Sequence, residues 1–190
     1  MSKQQSTEQK KLFTTRDLVT MALFAAILSI SAYISIPLPF PGSPHITLLN
    51  FVILLIALLF PLSQSFLIIL VWMLLGIVGV PVFIGGKATI AYLLNPWGGY
   101  TLVFLLIAVL LPLIRGSKYN RIRYTAAAII GALVIDFLGM VYLKLYPGSG
   151  YDWRMAFAVG FVAFLPLDLI KSIVVAQIIP AFRRVMPEQV

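Results

Sequence analysis

The sequence predicts an all-α integral membrane protein with six transmembrane helices and ordered loops on its outer side. Hydrophobic residues make up 61% of the 190 positions and charged residues only 11%, whereas a soluble domain carries about 25% charged residues. The apolar residues form repeated runs of near-membrane length, and the basic residues collect on one side of those runs. Because lipid cannot satisfy open backbone groups and barrel-like alternation is absent, these runs are predicted to be helices.

Six apolar runs, each bounded by proline, glycine or charge, are predicted to span the membrane. They cover residues 18–36, 46–60, 63–79, 98–114, 124–143 and 155–179. Only Pro61-Leu62 and a short polar patch, 63–65, separate the second run from the third, which indicates a tight helical hairpin. The chain therefore divides into a polar N-terminal tail (1–17), a membrane domain (18–182) and a C-terminal tail (183–190).

The basic residues orient the chain, because cytoplasmic loops of membrane proteins carry an excess of lysine and arginine. With both termini in the cytoplasm, only Lys87, Lys144 and Arg154 lie outside, and Lys171 lies within the membrane. The ten basic residues placed inside are Lys3, Lys10, Lys11, Arg16, Arg115, Lys118, Arg121, Arg123, Arg183 and Arg184. The net charge of +8 then reflects topology, and we expect no nucleic-acid partner.

The residue inventory argues against metal proteins, thiol enzymes and self-powered transporters. The chain has no cysteine, one histidine and six acidic residues, which leaves no cluster with metal-ligand spacing. A phosphate-binding G-x-x-x-x-G-K-[ST] loop is absent, since Gly86-Lys87 is followed by Ala88. We therefore expect no metal, cofactor or catalytic residue. Residues 1–17 are not expected to be a cleavable signal, because the apolar run that follows them is too long.

Asp168 and Lys171 are the only charges between Arg154 and Arg183. A charge at the centre of a membrane helix costs roughly 2.5–3.5 kcal/mol on insertion scales. The spacing places both side chains on one helix face, where each offsets part of the other's cost, so the pair is predicted to point inward. Asp168 would accept N–H donors of a ligand, while Lys171 donates to a carbonyl or neutralises a carboxylate. An ion pair that only fixes the helix against a neighbour is the structural alternative.

Other polar positions in the spans have two interpretations. Asp136 is the one acid of the fifth span, and we favour a structural role for it over a ligand role. Thr47 and Asn50 are three apart near the start of the second span, so they can bind a ligand from one helix face or hydrogen-bond another helix. Pro166 is expected to bend the last helix next to Asp168.

Three irregular segments rich in proline and glycine fall on the outer side, at 37–44, 79–100 and 144–154. Long apolar loops in compact proteins are often binding loops, and Gly85-Gly86 permits close backbone approach to a ligand. Phe83 is predicted to wall an apolar ring, while Trp97 and Tyr100 fit either a binding loop or the aromatic belt at a membrane interface. Loops above an inward-facing ion pair predict a pocket open to the outside, as in a small-molecule receptor.

The segment Phe164-Leu-Pro-Leu-Asp-Leu-Ile-Lys171 resembles the F-L-P-G-D-L-I-K segment of BioY proteins, the biotin-specific S components of energy-coupling factor (ECF) transporters. Segments 35–40, 46–48, 79–86, 96–100 and 180–184 are similar to that family's other motifs, in the same order. The resemblance covers residues 16–184 and implies an S-component-like bundle in the cytoplasmic membrane of a prokaryote. It implies a multi-pass subunit that captures biotin from outside for ATP-driven uptake by its partners.

The same resemblance implies partners and site residues. The partners are a transmembrane coupling protein and two cytosolic ATPases. Ala22 and Ala26 match the A-x-x-x-A motif of the first helix that docks on the coupling protein, since small residues four apart allow close approach in lipid. The ligand-binding candidates are Asp168, Lys171, Asn50, Thr47, Phe83, Gly85, Gly86, Asn95, Trp97 and Tyr100.

Several positions depart from the family pattern. Leu167 stands where glycine is usual, and Leu49 stands where a polar residue is expected. Residues 87–89 replace glycines, and residues 95–97 replace G-P-T. Because these positions lie near the expected ligand, another small anionic vitamin such as lipoate is an alternative. An intramembrane enzyme using Asp168 and Asp136 as paired acids, or Lys171 as a base, is a more distant one.

Overall fold

The computed structural model describes residues 13–37 and 45–186, which form a bundle of helices with one small pair of strands. In chain order the elements are α1 (Thr15–Ser31), β1 (Ser35–Pro37), β2 (His45–Thr47), α2 (Leu49–Leu59), α3 (Leu62–Ile77), a 3-10 turn (Ile84–Gly86), α4 (Ile90–Leu93), α5 (Gly98–Arg115), α6 (Arg121–Leu145), α7 (Trp153–Phe157), a π-helical segment (Ala158–Val162) and α8 (Leu165–Val185). Most of the first outer loop and the distal parts of both predicted tails lie outside the described residues.

Each of the six predicted spans contains a helix, although their lengths differ. Within the described part of the chain, three helical stretches are long and apolar enough to cross a membrane: Gly98–Arg115, Arg121–Leu145 and Trp153–Val185. The apolar helices α2 and α3 are shorter, with 11 and 16 residues. Nine of the eleven residues of α2 are buried, so this helix lies at the centre of the bundle.

The first span ends earlier than predicted, and the second begins later. α1 starts with a capping box in which Thr14 and Asp17 bond reciprocally, and it ends at Ser31 rather than at position 36. β1 and β2 then pair antiparallel, with Ile36 opposite Ile46. A proline disfavours helical backbone dihedral angles in the residue before it, which explains why the chain is extended ahead of Pro37. The all-α prediction therefore describes the helical bundle, and this small hairpin is the part that it missed.

The α2–α3 hairpin is confirmed. α2 ends at Leu59 and α3 begins at Leu62, so only Phe60 and Pro61 separate the two helices. Pro61 has no N–H to donate, and this matches its position just ahead of a helix start. The hairpin is tied to the rest of the bundle because the buried Arg115 donates from Nη2 to the Phe60 carbonyl at 2.9 Å.

The last predicted span, 155–179, is not one continuous α-helix. α7 passes into a π-helical segment, and α8 begins at Leu165 with Pro166 in its first turn. Proline cannot donate an internal helical hydrogen bond but is well tolerated at a helix start, so the chain restarts its helix there. π-Helical segments are rare in proteins, and those that occur are frequently found at functional sites. This interruption lies directly before Asp168.

Candidate binding site

A cavity of about 700 Å³ opens at the end of the bundle where α5 begins. Elements from both halves of the chain surround it, namely β2, α2, the 79–97 loop, α5, α6 and α8. Its lining residues are His45, Thr47, Asn50, Ile84, Gly85, Lys87, Tyr92, Asn95, Pro96, Trp97, Tyr100, Phe104, Asp136, Phe164, Asp168 and Lys171. Mixed polar and aromatic linings of this size are typical of small-molecule sites.

The ion pair predicted from the sequence lies in the wall of this cavity. Lys171 Nζ is 2.8 Å from Asp168 Oδ1, and the same ammonium donates to the Thr47 backbone carbonyl at 2.9 Å. Asn50 Nδ2 donates to the other oxygen, Asp168 Oδ2, at 2.9 Å. Asp168 is only 3% exposed, so these charge-assisted contacts offset the cost of burying its carboxylate. The network joins α8 to β2 and α2.

Thr47 and Asn50 reach this network by different routes from the one expected. The prediction that both lie on one face of the second helix was wrong, because Thr47 belongs to β2 and Asn50 to the first turn of α2. Thr47 contributes its backbone carbonyl to Lys171, while Asn50 contributes its side-chain amide to Asp168. Both residues line the cavity.

The glycine loop is only partly exposed to the cavity. Gly85 lines it with a φ of 70°, and its N–H donates to the Ala32 carbonyl at 3.2 Å. Gly86 is not among the lining residues and faces the ring of Tyr33. The left-handed φ at Gly85 is a conformation that favours glycine, so the loop's path over the cavity depends on it.

Phe83 does not line the cavity, in contrast to its predicted place as an apolar wall. Its side chain is fully buried, with ring centroids 4.7 Å from Tyr92 and 5.3 Å from Trp72. A Cβ on Gly76 would lie 2.2 Å from the Phe83 ring, so glycine at that position makes room for it. The cavity wall here is formed by Tyr92, which stacks on Phe83.

Asn95, Trp97 and Tyr100 all line the cavity. The Asn95 side chain is engaged in its own loop, where Nδ2 donates to the Tyr92 carbonyl and Oδ1 accepts from the Trp97 N–H at 2.7 Å. The rings of Trp97 and Tyr100 stack with centroids 5.8 Å apart. Tyr100 also donates its hydroxyl to the Gly160 carbonyl at 2.5 Å, which ties the stack to the π-helical segment.

Several lining residues were not among the sequence candidates. His45 lies on β2, with Nδ1 3.2 Å from Ser35 Oγ. Lys87 was noted only as a basic residue on the outer side. Tyr92 and Phe104 are aromatic residues that no local pattern distinguishes from core residues, and Phe164 was noted only as the first residue of the segment 164–171. The cavity therefore draws on more of the outer loop region than the motifs indicated.

Asp136 also lines the cavity, although a structural role was favoured for it. The residue is 1% exposed, no N–H or O–H donor of the described residues bonds its carboxyl oxygens, and the Asp168 carboxyl group is its close polar neighbour. The signal was present in the sequence, because an acid within a long apolar helix is costly. Spacing could not reveal it, since its cavity neighbours come from other helices.

Ala22 and Ala26 lie away from the cavity, on the exposed face of α1. Across the described ranges, no group of three His, Cys, Asp or Glu side chains is arranged to hold a metal ion. The lining residues can hold a small molecule by aromatic contact, hydrogen bonds and charge.

Comparisons with known proteins agree in family and fold. Residues 3–188 match the model of the BioY family. The chain is 36% identical over 163 residues to the biotin transporter BioY of Thermotoga maritima, covering 86% of this chain and 93% of that protein. It is 34% identical over 159 residues to the biotin transporter BioY2 of Lactococcus lactis, covering 83% and 85%.

A solved structure shares the fold. It is the crystal structure of the S-component for biotin from an ECF-type ABC transporter, with a TM-score of 0.80, 24% sequence identity, and coverage of 90% of this chain and 95% of that one. At this identity the structural likeness shows the fold, while the family model and the relatives show the family. The chain belongs to the BioY family.

Proposed function

We propose that this protein is the biotin-binding S component of an ECF-type importer. The observation that carries the proposal is the cavity, whose wall contains the Asp168–Lys171 pair together with Asn50. The relatives in Thermotoga maritima and Lactococcus lactis are named as biotin transporters, not as enzymes. Biotin is taken up from the outer side, and partner proteins hydrolyse the ATP.

The chemistry of the cavity fits biotin. Biotin has an apolar bicycle, a ureido group with two N–H donors and one carbonyl acceptor, and a carboxylate on a flexible chain. Tyr92, Trp97 and Tyr100 supply an aromatic surface for the bicycle. The polar network around Asp168 supplies donors and acceptors for the ureido group.

Lys87 is the partner for the ligand's carboxylate in this proposal. Among the described residues, Lys87 and Lys171 bring ammonium groups to the cavity, and that of Lys171 already donates to Asp168 and Thr47. Lys87 is exposed, as expected for a group that meets a carboxylate close to water. The ureido group then faces Asp168, and the valerate chain runs outward.

The proposed membrane arrangement has six spans with both termini in the cytoplasm of a prokaryotic cell. It is supported by a helix in each of the six predicted runs and by the excess of basic residues on one side of them. The cavity then opens outward, where the vitamin arrives.

The proposed partners are a transmembrane coupling protein and two cytosolic ATPases. Ala22 and Ala26 support a docking role because they lie on an exposed face of α1, beside the exposed apolar side chains of Leu23 and Ile30. Small residues four apart let a second helix approach closely in lipid, where packing drives association.

The proposal is tested by the ligand itself. The protein is purified from cells supplied with biotin, the co-purified small molecule is identified by mass spectrometry, and the stripped protein is titrated with biotin and with lipoate. We expect biotin to co-purify and to bind with a Kd near or below about 1 μM. Tight binding of lipoate without a biotin response would reject the named vitamin and retain the receptor class.

A further inference from the structure

We propose that Asp136 is a ligand-contacting residue that accepts an N–H donor of the bound ring and so selects cyclic ureas over vitamins without such a donor. The proposal rests on the proposed biotin function and adds a second acid to its site. Asp136 lies on α6, so the ligand would bridge α6 to the Asp168 network of α8.

The first argument is that the two carboxyl groups of the cavity differ in what they already bind. Both oxygens of Asp168 are engaged, one by Lys171 at 2.8 Å and the other by Asn50 at 2.9 Å. No N–H or O–H donor of the described residues bonds either oxygen of Asp136, whose close polar neighbour is the Asp168 carboxyl group. Asp136 is therefore the carboxyl group of the cavity that no described N–H donor satisfies.

The second argument is energetic. Asp136 is 1% exposed, so water cannot freely replace a missing partner. A buried polar group without a hydrogen bond costs free energy and is rare in folded proteins. A buried acceptor that no described protein group satisfies, set in the wall of a ligand cavity, is best accounted for by a donor on the ligand.

A structural pairing of Asp136 within the protein is less consistent with the contacts. Lys171 is the only basic group contributed to the cavity by α8, and its Nζ donates to Asp168 and to the Thr47 carbonyl. Tyr100 directs its hydroxyl to the Gly160 carbonyl. Two of the three N–H bonds of Lys171 and the Tyr100 hydroxyl are thus committed elsewhere, and a proton shared with Asp168 is the structural pairing that the test must exclude.

The chemistry of the ligand completes the argument. A cyclic urea carries two N–H donors and one carbonyl, so Asp136 can accept one N–H while Lys171 or Asn50 donates to the carbonyl. Lipoate has a carboxylate and a disulfide ring but no N–H donor. A site built to hydrogen-bond a ligand group strongly rejects analogues that lack it, because its buried polar atoms are then left unpaired.

The test crosses variants of Asp136 with ligands. The wild type, Asp136→Leu and Asp136→Asn are each titrated with biotin and with the two carbamate analogues in which a ring oxygen replaces one ureido N–H. We expect Asp136→Leu to weaken biotin binding by about tenfold or more, and Asp136→Asn, which keeps one acceptor oxygen, to weaken it less. One of the two analogues lacks the N–H that would meet Asp136. For that analogue, the Kd values of Asp136→Leu and the wild type should agree within about twofold.

Two controls separate a ligand role from a structural one. Asp152→Asn removes an acid outside the cavity and keeps a good helix N-cap for α7, so it should bind biotin as the wild type does. The ligand-free Asp136→Leu variant should melt at or above the wild type, because a buried acceptor without a partner has been removed.

The proposal is overturned if Asp136→Leu loses affinity by the same factor for biotin and for both analogues. It is also overturned if the melting temperature of Asp136→Leu falls markedly. Either result would favour a structural role for Asp136 or a proton shared with Asp168. Unchanged biotin affinity in Asp136→Leu would overturn it as well. If the wild type itself fails to bind biotin, the proposed function fails together with this inference, and the two failures are thereby distinguished.

Discussion

The ring of Tyr100 occupies the space that a side chain at Gly139 would need. A Cβ built on Gly139 would lie 2.3 Å from Cδ1 and from Cε1 of that ring. On its other end, Tyr100 donates its hydroxyl to the carbonyl of Gly160. Glycines on α6 and on the π-helical segment thus hold the tyrosine against which Trp97 stacks.

The first prediction concerns Gly139→Ala. The added methyl group must displace the Tyr100 ring, and overpacking of this kind costs about 1–3 kcal/mol. Because the displaced ring forms part of the cavity wall, we expect biotin affinity to fall by about tenfold. Isothermal titration of the purified variant measures the change.

Gly131→Ala is the matched control for this prediction. Gly131 lies on the same helix, and the atoms nearest to its added Cβ would be the flexible side-chain ends of Leu111 and Leu54. Both variants gain the same intrinsic helix propensity. If Gly139→Ala binds biotin as tightly as Gly131→Ala does, Tyr100 has no part in shaping the site.

Sequence reasoning located the helices and the ion pair because their signals are local. Apolar runs marked all six helical regions, and the spacing of Asp168 and Lys171 placed them on one face. The β1–β2 hairpin was missed because a three-residue strand adjoining an apolar helix carries no pattern of its own. The apolar run continues to Ile36, and Pro37 is the local signal that disfavours another turn of helix there.

The cavity was harder to predict because its members meet only through packing. Phe83 and Tyr92 are both aromatic residues of the same loop region, and only the packing shows that Phe83 is buried behind Tyr92. Likewise, nothing local distinguishes the Thr47 side chain from its carbonyl as the partner of Lys171. These outcomes depend on contacts between residues up to 124 positions apart.

The second prediction concerns Asp168→Asn and Lys171→Met. Each single change leaves one charge without its partner, and breaking a buried pair in this way costs about 3–5 kcal/mol. We expect each variant to insert and fold with a lowered melting temperature, and to lose biotin affinity by about a hundredfold or more. Fluorescence-based melting and biotin titration in detergent measure the two effects.

The double variant separates stability from binding. With both charges removed, no unpaired charge remains, so the effects on stability should be clearly non-additive and the melting temperature should recover. Biotin affinity should stay as low as in the single variants, because the ligand's polar partners are gone. A double variant that binds like the wild type would show that the pair serves only the protein's own structure.

The third prediction concerns Lys87→Gln. An exposed ion pair contributes at most about 1 kcal/mol, so the loss of biotin affinity should be about two- to fivefold. The amide of biotin has no carboxylate and should bind Lys87→Gln and the wild type equally. Titrations of both ligands at low and high salt test the charge contribution, since screening should remove the difference between the proteins.

Lys144→Gln provides the comparison, because Lys144 lies outside the cavity with its ammonium 6.0 Å from the Trp153 ring centroid. This variant loses the same charge and should keep the wild-type affinity. An equal loss of affinity in both variants would point to general attraction of the anionic ligand, and the contact assigned to Lys87 would then be wrong.

The fourth prediction concerns the exposed face of α1. Ala22→Trp and Ala26→Trp each place a large ring where a partner helix must approach closely, so assembly with the coupling protein and the ATPases should be lost. Neither residue lines the cavity, so biotin binding by the isolated subunit should be unchanged. Ile130→Trp, on an exposed position of α6, is the control and should leave both properties intact. Co-purification with a tagged coupling protein measures assembly, and biotin uptake by cells measures transport. Full uptake by Ala22→Trp or by Ala26→Trp would place the docking face elsewhere on the bundle.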